Sequence, residues 1–475
     1  MNSYKMLVNG ELIDGSSSIE IVNPANEQVL AKSPVASEAQ LDIAVAAASA
    51  ALPGWRRTPV AERARLLRSL VNCLEKNAEE LATLLSTEQG KPLAQARDEV
   101  AFSQAFARHF ADIAETPVEV LLENDTDRVE VHRKPLGVVA GICPWNFPLL
   151  IAVYKIAPAV VTGNTIIVKP APTTPLTALK LGELAQKIFP AGVLNIIADD
   201  NGLGPAISSH PGIAKLSFTG STPTGKRIMA NAADTLKRLT LELGGNDAAI
   251  VLDDANPEEA AKGIFSAAFL NSGQVCIALK RLYVHDSIYD DLCEQIAALA
   301  NAAVVGNGLD PSTQFGPVQN RQQFEKVCDY IADAKANGRI IAGGTVPDAP
   351  GFCVPLTVVR DIEDGCRIVD EEPFGPVLPI IRYSDVDDVI DRANNSSFGL
   401  GGSVWSSDLV RAQQVAEQID CGTVWINQHC AFGPHIPLAS ARESGIGVEF
   451  AKEGLLEYTG MKVINIKKTY STPTH

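Results

Sequence analysis

The feature that most constrains the fold is a regular alternation of short apolar runs and amphipathic segments between residues 136 and 244. Runs with the length and composition of buried strands occupy 137–142, 165–168, 193–197, 215–218 and 239–243. Segments 175–188 and 222–233 have helical periodicity. Such alternation predicts a parallel sheet with right-handed crossovers. Parallel sheets of this kind bind ligands beyond the C-terminal ends of their strands.

A second alternating series runs from residue 247 to about 426. It includes a strong helix start at 256–259, where asparagine, proline and two glutamates follow one another. Before both series, residues 37–112 have helical patterns, and 60–74 places its leucines on one face. Because 475 residues are too many for one core, we predict an α/β protein with two doubly wound parallel-sheet domains.

Residues 118–134 alternate like a two-stranded hairpin with a polar turn, and 462–468 alternates in the same way. An isolated hairpin is marginally stable in water, so this one needs a partner. The two segments either form a sheet within one chain or contribute to an oligomer contact.

The net charge is −16, from 56 acidic against 40 basic residues, which argues against nucleic-acid binding. The sequence has no apolar run long enough for a membrane span and no signal-peptide pattern. Nine scattered cysteines without a C-x-x-C pair, and seven histidines without ligand spacing, predict neither a disulfide framework nor a metal site. Reduced thiols in a cytoplasmic protein fit this pattern.

The stretch 269–276, with the sequence F-L-N-S-G-Q-V-C, is a candidate nucleophile site. We expect the helix that begins at Asn256 to run down to Cys276 and to break at Gly273. Sulfur is nucleophilic even when mostly protonated. A buried cysteine that only packs as a small apolar residue is the alternative.

Three further turns bear candidate chemistry, and each has a purely structural alternative. Asn146 lies in a turn held by two prolines, where its amide could stabilise an oxyanion. Glu242 ends an apolar strand, which should raise its pKa towards that of a general base. The glycines at Gly220 and Gly225 lie between a strand and a helix, where backbone N–H groups could hold a pyrophosphate.

These motifs occur in the order P-W-N-F-P, F-T-G-S-T-x-x-G, L-E-L-G-G-N, F-x-N-x-G-Q-x-C and E-E-P-F-G-P. Their combination resembles the aldehyde dehydrogenase superfamily, from Asn23 to Glu449. The resemblance implies a dinucleotide-binding domain, a catalytic domain and a small β oligomerisation hairpin. The corresponding residues are 1–116 with 137–244, then 245–443, and finally 117–136 with 459–475.

By the same resemblance, Cys276 is the nucleophile and Glu242 the general base. Asn146 and the Cys276 backbone N–H form the oxyanion hole, and Lys155 and Glu449 form a proton relay. The implied reaction oxidises an aldehyde to its acid with NAD or NADP, through a thiohemiacetal and a thioester on the cysteine. A homodimer or homotetramer is the implied assembly.

The resemblance also implies cofactor contacts and a substrate pocket. The cofactor contacts are Trp145, Lys169, Pro172, Gly220, Ser221, Leu243, Glu372 and Phe374. The pocket residues are Phe147, Ile151, Tyr154, Leu270, Val275, Ile277, Phe432 and Leu438. Because these are apolar with one phenol, we expect a medium-sized apolar or aromatic aldehyde as the substrate.

Three departures from the family pattern affect these expectations. Pro172 stands where many NAD-selective relatives have a glutamate that binds the adenine ribose, so NAD is expected and NADP is possible. Asp199 and Asp200 would repel a phosphate if they faced it. Residues 437–442 replace the usual P-F-G-G-x-K loop at the substrate mouth, where Arg442, His429 or His435 could enter the pocket. A semialdehyde dehydrogenase, a CoA-acylating enzyme and a non-catalytic family member are the alternative functions.

Overall fold

The computed structural model describes residues 4–469, and its first sheet has eight strands within that part of the chain. In spatial order these are Glu11–Ile13, Met6–Val8, Leu194–Ile196, Thr165–Lys169, Val138–Ile142, Lys215–Thr219, Arg238–Glu242 and Gly445–Ile446. The middle five strands are parallel, and the others join them antiparallel at the two edges. All five predicted runs match observed strands, with a difference of one residue at one or both ends.

The order of these parallel strands places a crevice in the first sheet. The parallel part of this sheet begins with Val138–Ile142, and the next two parallel strands lie successively further out on one side of it. It then returns to the other side of Val138–Ile142 with Lys215–Thr219. The chain segments that follow Val138–Ile142 and Lys215–Thr219 therefore lead in opposite directions. Ligands bind at such a reversal point. The predicted turns at 143–148 and 219–225 flank it.

The second sheet has seven strands within the described residues. All are parallel except the edge strand Arg339–Ala342. In spatial order they are Arg339–Ala342, Thr357–Arg360, Val377–Tyr383, Leu279–His285, Asp247–Val251, Gly401–Trp405 and Thr423–Ile426. Two parallel-sheet units are therefore present, as predicted. The domain boundaries at 116, 137, 244 and 443 stay predictions.

Helices cover both faces of each sheet. Those belonging to the first half of the chain are Glu38–Trp55, Val60–Lys76, Ala78–Gln89, Leu93–Asp112, Pro148–Val161, Leu176–Ala185, Gly204–Ser209 and Thr222–Ala232. Those of the second half are Pro257–Phe269, Tyr289–Ala302, Arg321–Asn337, Arg367–Asp370, Val386–Asn394, Leu409–Ala416 and Ala451–Leu456. None of the helices between residues 4 and 469 is long and apolar enough to cross a membrane.

The predicted hairpin is part of a three-stranded antiparallel sheet. Its strands are Glu119–Glu123, Asp127–Pro135 and Thr459–Lys467, with the middle strand paired to both others. Short two-stranded ladders complete the fold: Ser17–Val22 with Val29–Val35, Phe398–Gly399 with Ala441–Arg442, and Leu438–Ala439 with Val448–Glu449. The pairing confirms the sheet, whereas its role in oligomerisation stays a prediction. Residues 470–475 of the predicted segment lie outside the described residues.

The early helical layer also anchors the crevice. The Glu99 carboxylate accepts hydrogen bonds from the backbone N–H groups of Leu149 (3.0 Å) and Leu150 (3.1 Å), at the start of Pro148–Val161. It thereby satisfies unpaired donors at a helix N-terminus and places a negative charge at the positive end of the helix dipole. Lys91 neutralises Glu99 through a fully buried ion pair of 2.6 Å.

Candidate active site

A cleft at the crevice gathers most of the residues proposed from the sequence. It contains about 1090 Å³ of empty space, its open mouth included. The proposed residues that line it are Trp145, Asn146, Phe147, Ile151, Tyr154, Gly220, Ser221, Glu242, Leu243, Val275, Cys276, Ile277, Glu372, Phe374, Phe432 and Leu438. The lining residues that sequence reasoning missed are Pro144, Leu150, Thr219, Gly244, Gln323, Lys326 and Phe450.

The helix before the candidate nucleophile is shorter than predicted. It ends at Phe269 instead of continuing towards Cys276, because Asn271 (φ 49°) and Ser272 (φ 57°) adopt left-handed backbone conformations. Gly273 (φ 73°) extends this run, and a Cβ there would lie 2.2 Å from the carbonyl oxygen of Gly375. The chain therefore reverses sharply and places Cys276 in the cleft on a loop.

The thiol of Cys276 is protonated at neutral pH. Burial raises its pKa to about 12, and the nearby carboxylates of Glu242, Glu372 and Asp247 act in the same direction. The ammonium of Lys280 opposes them. Because the thiolate is the reactive form, the sulfur must lose its proton as a substrate is attacked.

Glu242 is the last residue of its strand, and its side chain is buried. Neither of its carboxyl oxygens has a hydrogen-bond partner among the described residues. Burial raises its pKa well above the usual value, with a further contribution from Glu449, while Lys155 acts against the shift. A buried, unpartnered carboxyl group that faces a cleft is suited to exchange a proton with a bound water.

The amide of Asn146 lies across the cleft loop from this carboxyl. Its Nδ2 donates to the carbonyl of Gln274 at 3.0 Å, two residues before Cys276. The backbone carbonyl of Asn146 accepts hydrogen bonds from Lys91 Nζ (2.9 Å) and Asn271 Nδ2 (3.1 Å). These bonds fix the proline-bounded turn to the nucleophile loop and to the helical layer.

Lys155 and Glu449, nearly 300 residues apart, meet below the cleft. Lys155 Nζ lies 3.1 Å from Glu449 Oε1, and Ser217 Oγ bridges them with bonds of 2.7 and 3.0 Å. Both charged side chains are essentially inaccessible to solvent. The predicted pairing in space is present, and the proton-relay role stays a prediction.

The walls near Cys276 are apolar. Leu270 packs behind the wall in the same cluster as Val275 and Ile277, so it supports the pocket without lining the cleft. Of the three residues considered for the mouth, His435 is exposed outside the cleft lining, and the other two are engaged elsewhere. His429 is buried against Ser403 and the carbonyl of Ile277, and Arg442 pairs with Asp420. Arginine and histidine are absent from the cleft lining within residues 4–469.

Two predicted cofactor residues lie outside the cleft lining. Lys169 Nζ forms a buried ion pair of 2.7 Å with Asp199, and Pro172 is half-buried nearby in the chain. Asp199 also accepts a hydrogen bond from the backbone of Leu203, and its side chain is fully buried. Lys169 therefore neutralises the Asp199 carboxylate, whereas Asp200 is exposed, and repulsion of a phosphate by either acid stays a prediction.

The residues in the rest of the cleft fit a dinucleotide. Ser221 immediately precedes the helix Thr222–Ala232, whose N-terminus is suited to a pyrophosphate. Glu372 Oε1 accepts from the backbone N–H of Gly245 at 3.1 Å, while its Oε2 accepts no hydrogen bond within the described chain and is available for a hydroxyl. The rings of Trp145 and Phe374 pack edge to face at 5.2 Å.

A family model described as the aldehyde dehydrogenase family matches residues 12–464. The chain belongs to the aldehyde dehydrogenase family. It is 39% identical over 473 residues to phenylacetaldehyde dehydrogenase of Pseudomonas fluorescens, covering 96% of this chain and 94% of the relative. It is 37% identical over 467 residues to an NADP-dependent succinate-semialdehyde dehydrogenase of Escherichia coli K12, covering 97% of each.

Solved structures agree with this assignment. An NAD⁺ complex of the aldehyde dehydrogenase from Bacillus cereus matches with a TM-score of 0.96 at 36% identity, covering 98% of this chain and 97% of the other. An NADP-dependent enzyme of Escherichia coli matches with a TM-score of 0.95 at 36% identity, covering 98% of each chain. The protein is an NAD(P)-dependent aldehyde dehydrogenase of the predicted fold class.

Phe450 is a cleft-lining residue of this aldehyde dehydrogenase that lies just beyond a sequence motif. It follows Glu449 directly, has a left-handed backbone (φ 68°), and packs edge to face against Tyr154 at 5.1 Å. Reading one residue past the final motif would have identified it. Lys326 and Gln323 lie on the helix Arg321–Asn337, which has no sequence motif to mark them.

Proposed function

We propose that this chain oxidises a medium-sized apolar or aromatic aldehyde to its carboxylic acid through a covalent cysteine intermediate. The observation that supports this most is the convergence of Cys276, Glu242 and Asn146 on one cleft with apolar walls. A thiol, an unpartnered carboxyl and an amide are the groups that acyl chemistry at an aldehyde carbon requires.

In the first step, the Cys276 sulfur attacks the aldehyde carbon while its proton passes to solvent water in the open cleft, and the carbonyl oxygen becomes an oxyanion. The Asn146 amide has two N–H donors, of which one is used by Gln274. The other, with the Cys276 backbone N–H, stabilises the oxyanion. Such donors contribute most in a site that excludes water.

NAD(P)⁺ would be held in the cleft beside Ser221 and Glu372 and would there accept the hydride. Loss of hydride from the tetrahedral carbon leaves a thioester on Cys276. Glu242 then takes a proton from a water molecule, which attacks the thioester and releases the acid and the thiol. The hydrogen-bonded group of Lys155, Ser217 and Glu449 is the proposed onward acceptor of that proton.

Glu242 also separates this proposal from the CoA-acylating alternative, in which a thiol and not water receives the acyl group and no base is needed at this position. The non-catalytic alternative is disfavoured because thiol, base and amide are all present in the cleft.

We further propose that the three-stranded sheet mediates a homodimer or homotetramer. Its outer strand Glu119–Glu123 is exposed along its whole length, with Val120, Leu121 and Leu122 uncovered. The cytoplasmic location stays a prediction.

The substrate proposal leads to an activity prediction. With NAD and NADP in parallel and no CoA, absorbance of the reduced nicotinamide should show kcat/KM for phenylacetaldehyde or benzaldehyde at least about tenfold above that for succinic semialdehyde. The physical reason is that the substrate end of the cleft offers apolar burial and no arginine for a distal carboxylate. Short aliphatic aldehydes serve as the size control. Preference for succinic semialdehyde would contradict the proposal and favour the semialdehyde alternative.

The cofactor proposal leads to a second prediction. NAD is the preferred cofactor, with NADP accepted because Pro172 provides no carboxylate for the adenine ribose hydroxyls. Pro172→Glu is therefore expected to raise the ratio of kcat/KM for NAD over NADP by about tenfold, through a new hydroxyl contact and repulsion of the 2′-phosphate. Pro172→Gln is the matched control, because it adds the contact without the charge. An unchanged ratio in Pro172→Glu would mean that another residue reads the ribose.

A further inference from the structure

Lys280 is a buried cation beside the nucleophile that no motif marks. It lies on the strand Leu279–His285, and only 3% of its surface is exposed. Its Nζ donates to the backbone carbonyl of Cys276 at 2.5 Å. The same Nζ lies 3.3 Å from Glu372 Oε1. One ammonium therefore contacts both the nucleophile loop and the carboxylate that faces the cofactor.

The position of Glu372 depends on this contact. Its Oε1 is held from two sides, by Lys280 and by the backbone N–H of Gly245. A Cβ at Gly244 would lie 2.3 Å from Oε2, so the absence of a side chain there is what lets the carboxylate approach. With Oε1 occupied, Oε2 is the oxygen left for a ligand. Glu372 is thus fixed before a ligand arrives, which lowers the entropy cost of binding.

The position of Cys276 depends on Lys280 as well. Ala278 N donates to the carbonyl of Val275 at 3.1 Å, which closes a tight turn around the nucleophile. Lys280 holds the Cys276 carbonyl inside that turn. A buried charge without a partner is costly, so the ammonium cannot leave the turn and Glu372 without a large penalty.

We propose that Lys280 is a positioning residue that joins the Cys276 loop and the Glu372 carboxylate into one ion-paired unit, so that a single side chain sets both nucleophile reactivity and binding of the nicotinamide ribose. This proposal rests on the proposed function, in which Cys276 is the nucleophile and Glu372 binds the ribose hydroxyls. It adds a residue that links the two sites.

The electrostatics around the thiol agree with the geometry. The groups that face Cys276 include the acids Glu242, Glu372 and Asp247, which favour the thiol, and Lys280, which favours the thiolate. The neighbouring Tyr154 and Cys430 have pKa values raised well above their usual range by burial, so both are neutral there. Among the described residues that act on this thiol, Lys280 is the cation, and it lowers the pKa of Cys276.

The test measures two properties that need no aldehyde turnover. The first is the rate of Cys276 alkylation by iodoacetamide at pH 9, followed by mass spectrometry of the peptide that contains Cys276. The second is the Kd for NAD, from quenching of tryptophan fluorescence. Lys280→Met should slow alkylation about tenfold, the effect of a one-unit rise in thiol pKa. It should also weaken NAD binding about fivefold to tenfold, through loss of a charge-assisted contact.

Three further variants complete the test. Lys280→Gln keeps a donor for the Cys276 carbonyl but no charge, and it guards against misfolding of the methionine variant. It should show both losses at wild-type Tm. Glu372→Gln should speed alkylation, because it leaves the ammonium without a counter-charge. Lys237→Met is the matched control, since this lysine also donates to a backbone carbonyl, that of His210, but far from the cleft.

Wild-type alkylation or wild-type NAD affinity in Lys280→Gln overturns the proposal. So does a Lys237→Met variant that shows both losses, because the effects would then be general to buried lysines. Failure of the proposed function has a different signature, namely aldehyde oxidation that persists without the Cys276 thiol. The two outcomes are therefore distinguishable.

Discussion

Cys276→Ala is expected to lower kcat for aldehyde oxidation by about 10⁴-fold or more, because no other group in the cleft can form the covalent intermediate. The amine of Lys326 also lines the cleft, but it donates to the backbone carbonyl of Glu372. The measurement is steady-state production of reduced nicotinamide. NAD affinity should stay close to wild type, since the Cys276 thiol makes no predicted contact with the cofactor.

The matched control is Cys73→Ala. Cys73 lies on the helix Val60–Lys76, half-buried, with its sulfur near the carbonyl of Leu184 and away from the cleft. It should retain wild-type turnover. Retained turnover in Cys276→Ala, with Cys73→Ala also active, would remove Cys276 from the mechanism and with it the thioester.

Glu242→Gln is expected to separate the two halves of the reaction. The first turnover should still release about one equivalent of reduced nicotinamide per active site, because in the proposed mechanism solvent water accepts the thiol proton and Glu242 is needed only for the thioester hydrolysis that follows hydride loss. Steady-state kcat should then fall by about 10²- to 10⁴-fold, the usual contribution of a general base. Stopped-flow absorbance measures the burst and the slow phase together. Loss of the burst together with the steady state would place Glu242 in the first half-reaction instead.

The pH dependence follows from the direction of the Glu242 pKa shift. Burial and the neighbouring Glu449 raise this pKa, so the carboxyl keeps its proton to higher pH than an exposed glutamate. Because only the ionised carboxylate takes a proton from water, kcat limited by thioester hydrolysis should rise with pH over a range well above the one in which an exposed glutamate ionises. Glu242→Gln should lose this rise, whereas Glu363→Gln, an exposed acid remote from the cleft, should keep it.

The sequence was sufficient where chemistry depends on short motifs. Cys276, Glu242, Asn146 and Phe374 each lie in a local pattern, and all four line the cleft. The parallel strands were predictable for a similar reason, because a strand buried on both faces is a continuous apolar run.

The sequence was insufficient where distant segments meet. The contact of Lys91 with the backbone carbonyl of Asn146 joins residues 55 positions apart, and that of Lys280 with Glu372 joins a strand to a distant loop. No periodicity encodes such pairs. The early end of the helix at Phe269 was also missed, because the break was assigned to Gly273, whereas Asn271 and Ser272 already adopt left-handed conformations.

The cap that Glu99 places on the helix Pro148–Val161 has a consequence for engineering this enzyme towards other aldehydes. The wall residues Phe432 and Leu438 belong to loops and a short ladder, so a library can randomise them without unsettling the scaffold. Glu99 should not be randomised, because loss of its carboxylate would leave Lys91 as an unpaired buried charge beside Asn146. A screen for new substrates should therefore keep Lys91 and Glu99 unchanged and randomise the wall residues at the cleft mouth.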